Sequence, residues 1–259
     1  MSFTEAQLNL WLSAFIWPLV RISSMMVAAP VLSSRQVPYR FRIGLALILT
    51  WVLMPVIPPV AQVDFFSTEA FLMVLQQVLI GLVMGFILQM VFASLIFGGQ
   101  VMAYSMGLGF ASMMDPQNGV QVPVVSQFYL IMATILFLVL NGHLLLIEIL
   151  AHSFHTFPVA VDGLSRNSFS EVVGWGSHMF SSGLLMALPV MAALLLFNLG
   201  LGIITRAAPQ LHIFAVGFPL AMLIGFLLMW VTLPDVMDNF RELVVAGFGL
   251  IQRLLLIPG

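Results

Sequence analysis

Few residues of the 259-residue chain combine a chemically useful type with a useful spacing. His152 and His155 stand three apart on a possible helical turn, with Glu148 nearby. Such a trio can hold a metal ion, but the sequence places no fourth ligand. His143, after Asn141-Gly142, reads as a capping or packing histidine rather than a general base. No Ser lies in a nucleophile-elbow pattern. Gly107-Leu108-Gly109-Phe110-Ala111-Ser112 lacks a third Gly and follows a helix, so it is no dinucleotide motif. With no Cys, thiolate chemistry and disulfides are excluded. The expectation is a protein that is not an enzyme and takes no cofactor or metal.

The remaining polar residues of interest sit inside apolar stretches. Arg21 is costly in lipid, by about 2.5–3.5 kcal/mol on insertion scales. It must face a partner, a cavity or a carbonyl cluster, or else snorkel to an interface. Gln76, Gln77 and Gln89, with Gly81 and Gly85, suit helix–helix contact, because a lipid-facing Gln is unfavourable. Between Gly98 and Gly119 two stripes recur every four residues, which places each on roughly one helical face. Gly99, Ala103, Gly107 and Ala111 are small and permit close backbone approach. Met102, Met106, Phe110 and Met114 are large and adaptable. Gly107 and Gly109 argue that the helix breaks there, and Asp115-Pro116-Gln117-Asn118-Gly119 is a turn cluster. The stretch is either a hydrophobic constriction that closes a pore by dewetting or a re-entrant core hairpin.

The elements that carry these residues follow from composition. The chain is 61% hydrophobic and 7% charged, with mean hydropathy +1.12. A soluble domain carries about 25% charged residues, so most of this surface must meet lipid or protein. A net charge of −2 excludes binding to nucleic acid by phosphate neutralisation. A bilayer core takes about 20 apolar residues per helix. Six segments qualify: Leu8–Leu32, Ile43–Val63, Ala70–Phe97, Val124–Leu150, Ser177–Ile204 and Leu211–Leu233. Phe240–Ile257 carries Arg241, Glu242, Gln252 and Arg253 and reads as an interfacial or packed amphipathic helix. Ala151–Gly176 is expected to form a short amphipathic hairpin. Pro18, Pro55, Pro58, Pro59, Pro189 and Asn141-Gly142-His143 predict broken helices packed into something larger. Arg35, Arg40 and Arg42 join the first two segments, and Arg206 the fifth and sixth. Acidic residues fill the alternate connections. The positive-inside rule then puts the N-terminus outside and the C-terminus in the cytoplasm. Arg206, with Pro209 and Gln210, can bind a carboxylate on another subunit or hold a cytoplasmic turn.

Four motifs in this order resemble the FliR family, whose counterparts in virulence type III secretion are the SctT proteins. They are Pro38-Tyr39-Arg40-Phe41-Arg42, the run from Gly98-Gly99-Gln100 through Asp115-Pro116-Gln117, Asn141-Gly142-His143, and Arg206-Ala207-Ala208-Pro209-Gln210 followed by Phe214 and Gly217-Phe218-Pro219. The resemblance covers essentially the whole chain and favours the flagellar branch. It implies an all-α integral membrane protein with kinked helices, one membrane domain over 1–259. A FliP-like part would cover about 1–175 and a FliQ-like helical hairpin about 176–259. It implies a core subunit of the flagellar export gate in the bacterial inner membrane and basal body. There it would assemble helically with FliP-like and FliQ-like subunits, with a FlhB-like subunit on the cytoplasmic side, and pass unfolded export substrates. The family's plug loop maps onto Met106–Gly119: Met106, Gly107, Leu108, Gly109, Phe110, Met113, Met114, Asp115 and Pro116. Subunit or cytoplasmic contacts are expected at Arg35, Arg40, Arg42, Arg206, Pro209 and Gln210. The alternatives are a virulence injectisome subunit of the same family and a secondary transporter. The transporter would need ionisable residues near the midplane, where only Arg21, His143 and Glu148 are candidates.

Overall fold

The computed structural model describes residues 5–34, 37–58, 63, 67–109, 124–161, 163–207 and 217–257. Every regular element among them is a helix: α1 (Glu5–Ala28), α2 (Tyr39–Leu53), α3 (Thr68–Ser105), α4 (Val124–Val139), α5 (Gly142–Thr156), α6 (Arg166–Ala207) and α7 (Phe218–Leu254). The all-α membrane-type fold is therefore as expected, but the helices are not six even spans. Four are long and apolar enough to cross a bilayer, namely α1, α3, α6 and α7, and the bent pair α4–α5 makes a fifth candidate.

The departures have local causes. The second segment, expected over Ile43–Val63, closes at Leu53 as a 15-residue helix. Met54 is still helical (φ −47°, ψ −43°), but Pro55 has no N–H with which to continue the amide ladder. Within the fourth segment, Asn141 sits in the left-handed region (φ 56°), which Asn tolerates better than most residues. The chain turns by 62° there. The expected hairpin over Ala151–Gly176 is instead the end of α5, a connection and the first turns of α6. The sixth segment and the amphipathic C-terminal stretch fuse into one 37-residue helix that runs through Pro234. Val236, Phe240, Val244, Phe248 and Ile251 are buried along it, while Asp235, Asp238, Arg241 and Glu242 are exposed. This stretch is thus a packed amphipathic helix, one of the two forms expected for it.

The chain divides into two compact units. The first holds Met1–Met90, Leu140–Trp175 and Val244–Gly259. Its core includes Trp17, Met25, Met84, Leu88, Leu150 and Phe154. Here α1 and α3 cross in close contact: a Cβ added at Gly81 would lie 2.3 Å from the Arg21 carbonyl oxygen, and one at Gly85 would lie 2.5 Å from the Ala28 Cβ. The second unit holds Val91–Val139 and Gly176–Leu243. Phe92 meets Phe137 and Phe240 edge-on, at centroid distances of 5.5 and 5.3 Å. A Cβ on Gly98 would stand 2.7 Å from the Gly183 carbonyl oxygen of α6, and one on Gly99 would stand 2.8 Å from Ser126 Cα of α4. Backbones this close gain dispersion contacts that larger side chains would forbid.

Candidate functional site

The apolar stretch begins on the last turns of α3. Met102 and Ala103 are buried there, so this part of both stripes packs as core in the second unit. The helix ends where the glycines predict. Gly107 adopts φ 83°, its N–H bonds to the Tyr104 carbonyl at 3.0 Å, and the Leu108 N–H reaches back to the Ala103 carbonyl at 3.0 Å. These two bonds form a Schellman motif, in which the left-handed residue after the helix satisfies carbonyls that would otherwise be orphaned. Glycine takes this conformation without the penalty a Cβ would impose.

The residues flanking that stop are held by α7. Met106 is completely buried, and its side chain fills the space a Cβ on Gly225 would occupy, with Cγ 2.6 Å and Sδ 3.0 Å from that position. A Cβ at Gly107 would meet the Phe218 ring at 2.8 Å, and one at Gly109 would meet the Tyr104 ring at 2.6 Å. Leu108 is half-buried. Met106, Gly107, Leu108 and Gly109 are therefore brought together as an ordered stem. Phe110, Met113, Met114, Asp115 and Pro116 lie outside the described residues, as do Arg35, Pro209 and Gln210. Gly225 escaped the reading of the sequence, and Phe218 was named only within the Gly217-Phe218-Pro219 motif and not as a partner of Gly107, because a contact partner more than a hundred residues away leaves no local pattern. The tandem Gly98-Gly99 was the available signal that α3 meets two neighbours there, one on each glycine.

The remaining basic candidates separate. Arg42 donates to the carbonyls of Ser33 (3.1 Å) and Ser34, so its guanidinium closes the end of the α1–α2 connection. Arg40 is exposed and rests near the Tyr39 ring, 5.8 Å from its centroid. Arg206 is exposed in the last turn of α6, where a cation favours the helix dipole.

Arg21 is the most thoroughly coordinated polar side chain in the first unit. It is fully buried. Nε donates to Gln77 Oε1 at 2.7 Å, Nη1 to the Ser153 carbonyl at 2.9 Å and to Ser153 Oγ at 3.1 Å, and Nη2 to the Phe157 carbonyl at 2.8 Å. The Phe154 ring lies 4.2 Å from the guanidinium carbon. The two carbonyls belong to the C-terminal end of α5, whose partial negative charge suits a cation. Of the four settings open to Arg21, the carbonyl cluster is the one observed. Glu148, His152 and His155 are exposed, and no group of three or more His, Asp or Glu able to hold a metal occurs among the described residues. His143 is half-buried, and its Nδ1 has no hydrogen-bond partner among the described residues.

Residues 12–246 match the family described as bacterial export proteins, family 1. The chain is 38% identical to the flagellar biosynthetic protein FliR of Escherichia coli K12 over 255 residues, which is 98% of this chain and 97% of that protein. It is 35% identical to the protein of that name from Pectobacterium carotovorum, again over 98% of this chain and 97% of the relative. The identity to that of Bacillus subtilis is 31%, covering 95% and 96%.

Proposed function

The chain belongs to family 1 of the bacterial export proteins, the family that includes the FliR proteins, and on that premise we propose that it is a core subunit of the flagellar type III export gate. In this reading it is embedded in the bacterial inner membrane at the flagellar basal body, with a periplasmic N-terminus and a cytoplasmic C-terminus. It joins FliP-like and FliQ-like subunits in a helical assembly, contacts a FlhB-like subunit from the cytoplasmic side, and forms part of the channel for unfolded export substrates. Its role is conduction and sealing, not catalysis.

The observation that carries the reading is how little of two of its three longest helices the chain covers itself. In their most apolar windows, α6 and α7 are 22% buried, against 67% for α3. Asn198, well inside the apolar run of α6, is exposed as well. Lipid satisfies apolar side chains but not a carboxamide, so partner helices are the fitting cover.

Within that assembly, Met106–Gly119 acts as the plug. A channel wide enough for an unfolded chain would short-circuit the membrane unless sealed, and apolar side chains seal by excluding water and ions while yielding to a passing polypeptide. Deletion of residues 107–118, or joint replacement of Phe110, Met113 and Met114 by Ser, should make assembled complexes leak ions at rest. The measurement is membrane conductance after co-expression with the partner chains and a check of assembly. Intact assembly without added leak would reduce the segment to a packing element.

A further inference from the structure

Of the three glutamines expected at helix contacts, Gln77 is engaged by Arg21 and Gln76 packs against Gly163. Gln89 is different. It is exposed, and its amide has no hydrogen-bond partner among the described residues. It lies 21 residues into α3 and 16 before the helix end, with no charged residue after Glu69. At ~1.5 Å per residue it stands about 32 and 24 Å from the two ends. It therefore lies inside the uncharged apolar run of α3, not at either end of the helix.

Its neighbours on the helix surface are Phe71, Leu75, Leu82 and Phe86, all exposed in a helix that is otherwise mostly covered. With Gln89 these residues stand 4, 7, 4 and 3 apart, so they fall on one narrow face, as wide as the seam made by a single packed helix. The opposite face, at Ile80, Met84, Ile87 and Leu88, is fully buried. We infer that this seam of α3 seats one transmembrane helix of another subunit, which brings an amide or hydroxyl group to Gln89. Lipid would leave the amide unsatisfied. A water-filled path would not be walled by two Phe and two Leu. A helix with a polar group at the crossing satisfies both the apolar seam and the amide. The inference rests on the hetero-oligomeric reading above and specifies one of its contact surfaces.

The chain has no Cys, so Gln89→Cys gives a single site for a nitroxide spin label. The labelled chain is compared alone in detergent and in the complex co-purified with FliP-like and FliQ-like partners, then reconstituted in phosphatidylethanolamine–phosphatidylglycerol vesicles. The expected result is a mobile label in the isolated chain and, in the complex, an immobilised one shielded from both oxygen and a nickel chelate. Oxygen access in the complex would mean a lipid-facing seam, and nickel access a water-lined one; either overturns the inference. Immobilisation with spin–spin broadening in the isolated chain would mean a second copy of this chain, and would overturn it too. A Gln89→Leu chain should compete for the partners about 3- to 20-fold less well than the unsubstituted chain, the range measured for helix–helix hydrogen bonds in membranes; equal competition would overturn the polar contact. Failure of the unsubstituted, unlabelled chain to co-purify any partner would overturn the hetero-oligomeric reading and this inference together. A stable complex with a mobile label overturns this inference alone.

Discussion

At the scale of single residues, Arg21 shows what sequence can and cannot reveal. Its type and position announced a costly side chain that needed compensation. Its acceptors lie 56, 132 and 136 residues away, and no local pattern names them. The guanidinium fork reaches Gln77, Ser153 and Phe157 at once, which a single ammonium cannot do. Arg21→Lys should therefore destabilise the protein, and Arg21→Met should do so more strongly. The expected cost for Met is about 3 kcal/mol, because buried carbonyls lose a charged donor. Thermal unfolding of the purified protein in detergent measures both. Adding Gln77→Leu to Arg21→Met should recover about 1 kcal/mol, since the acceptor orphaned by the first change is then removed.

At the scale of elements, existence was more legible than extent. Apolar runs located the helical stretches but merged α4 with α5 and split α7 in two, and the glycines located the end of α3. Pro234 and the charges after it look in sequence like a boundary. In the structure the buried Met229 before it shares one face with the buried Val236 and Phe240 after it, and packing overrides a single lost amide bond. The glycine-bearing crossing of α1 and α3 was legible as a tendency, while its tightness was not. Gly81→Ala would put a methyl 2.3 Å from a backbone oxygen, so the helices must part, at a cost of about 1–3 kcal/mol. A Cβ added at Gly174, in α6, would meet nothing within 4 Å. Gly174→Ala should be neutral or stabilising by up to about 1 kcal/mol, since alanine favours helix. Unfolding midpoints of the two variants, compared side by side, check the contrast.

At the scale of the whole molecule, the charge pattern makes a prediction about sidedness. The connection bearing Arg35, Arg40 and Arg42 is expected in the cytoplasm, and the connection from Asp64 to Glu69 in the periplasm. In the Cys-free chain, Ser67→Cys should react with an impermeant maleimide in intact cells and Ser34→Cys only after lysis. The reverse pattern would invert the orientation. The apolar segment's core residues, Phe110, Met113 and Met114, remain readable only from their types and from the resemblance. The stem that presents them could not be read from sequence, because Met106 and Gly107 are held by residues of α7.

The lengths of α6 and α7 bear on the bilayer itself. With 42 and 37 residues, they extend ~63 and ~56 Å at 1.5 Å per residue, roughly twice the ~30 Å hydrocarbon thickness. Tilt alone would have to reach about 60°, beyond the 0–40° seen for membrane helices. No physiological membrane is thick enough to match them, so both helices must continue outside the lipid. A protein whose helices end at the interface is sensitive to a few ångströms of mismatch; one whose helices pass well beyond it has no end to match. Thermal stability of the assembled complex should therefore change little between bilayers of 14-carbon and 20-carbon lipids, and a sharp optimum at one chain length would show that the helix ends lie at the interface after all.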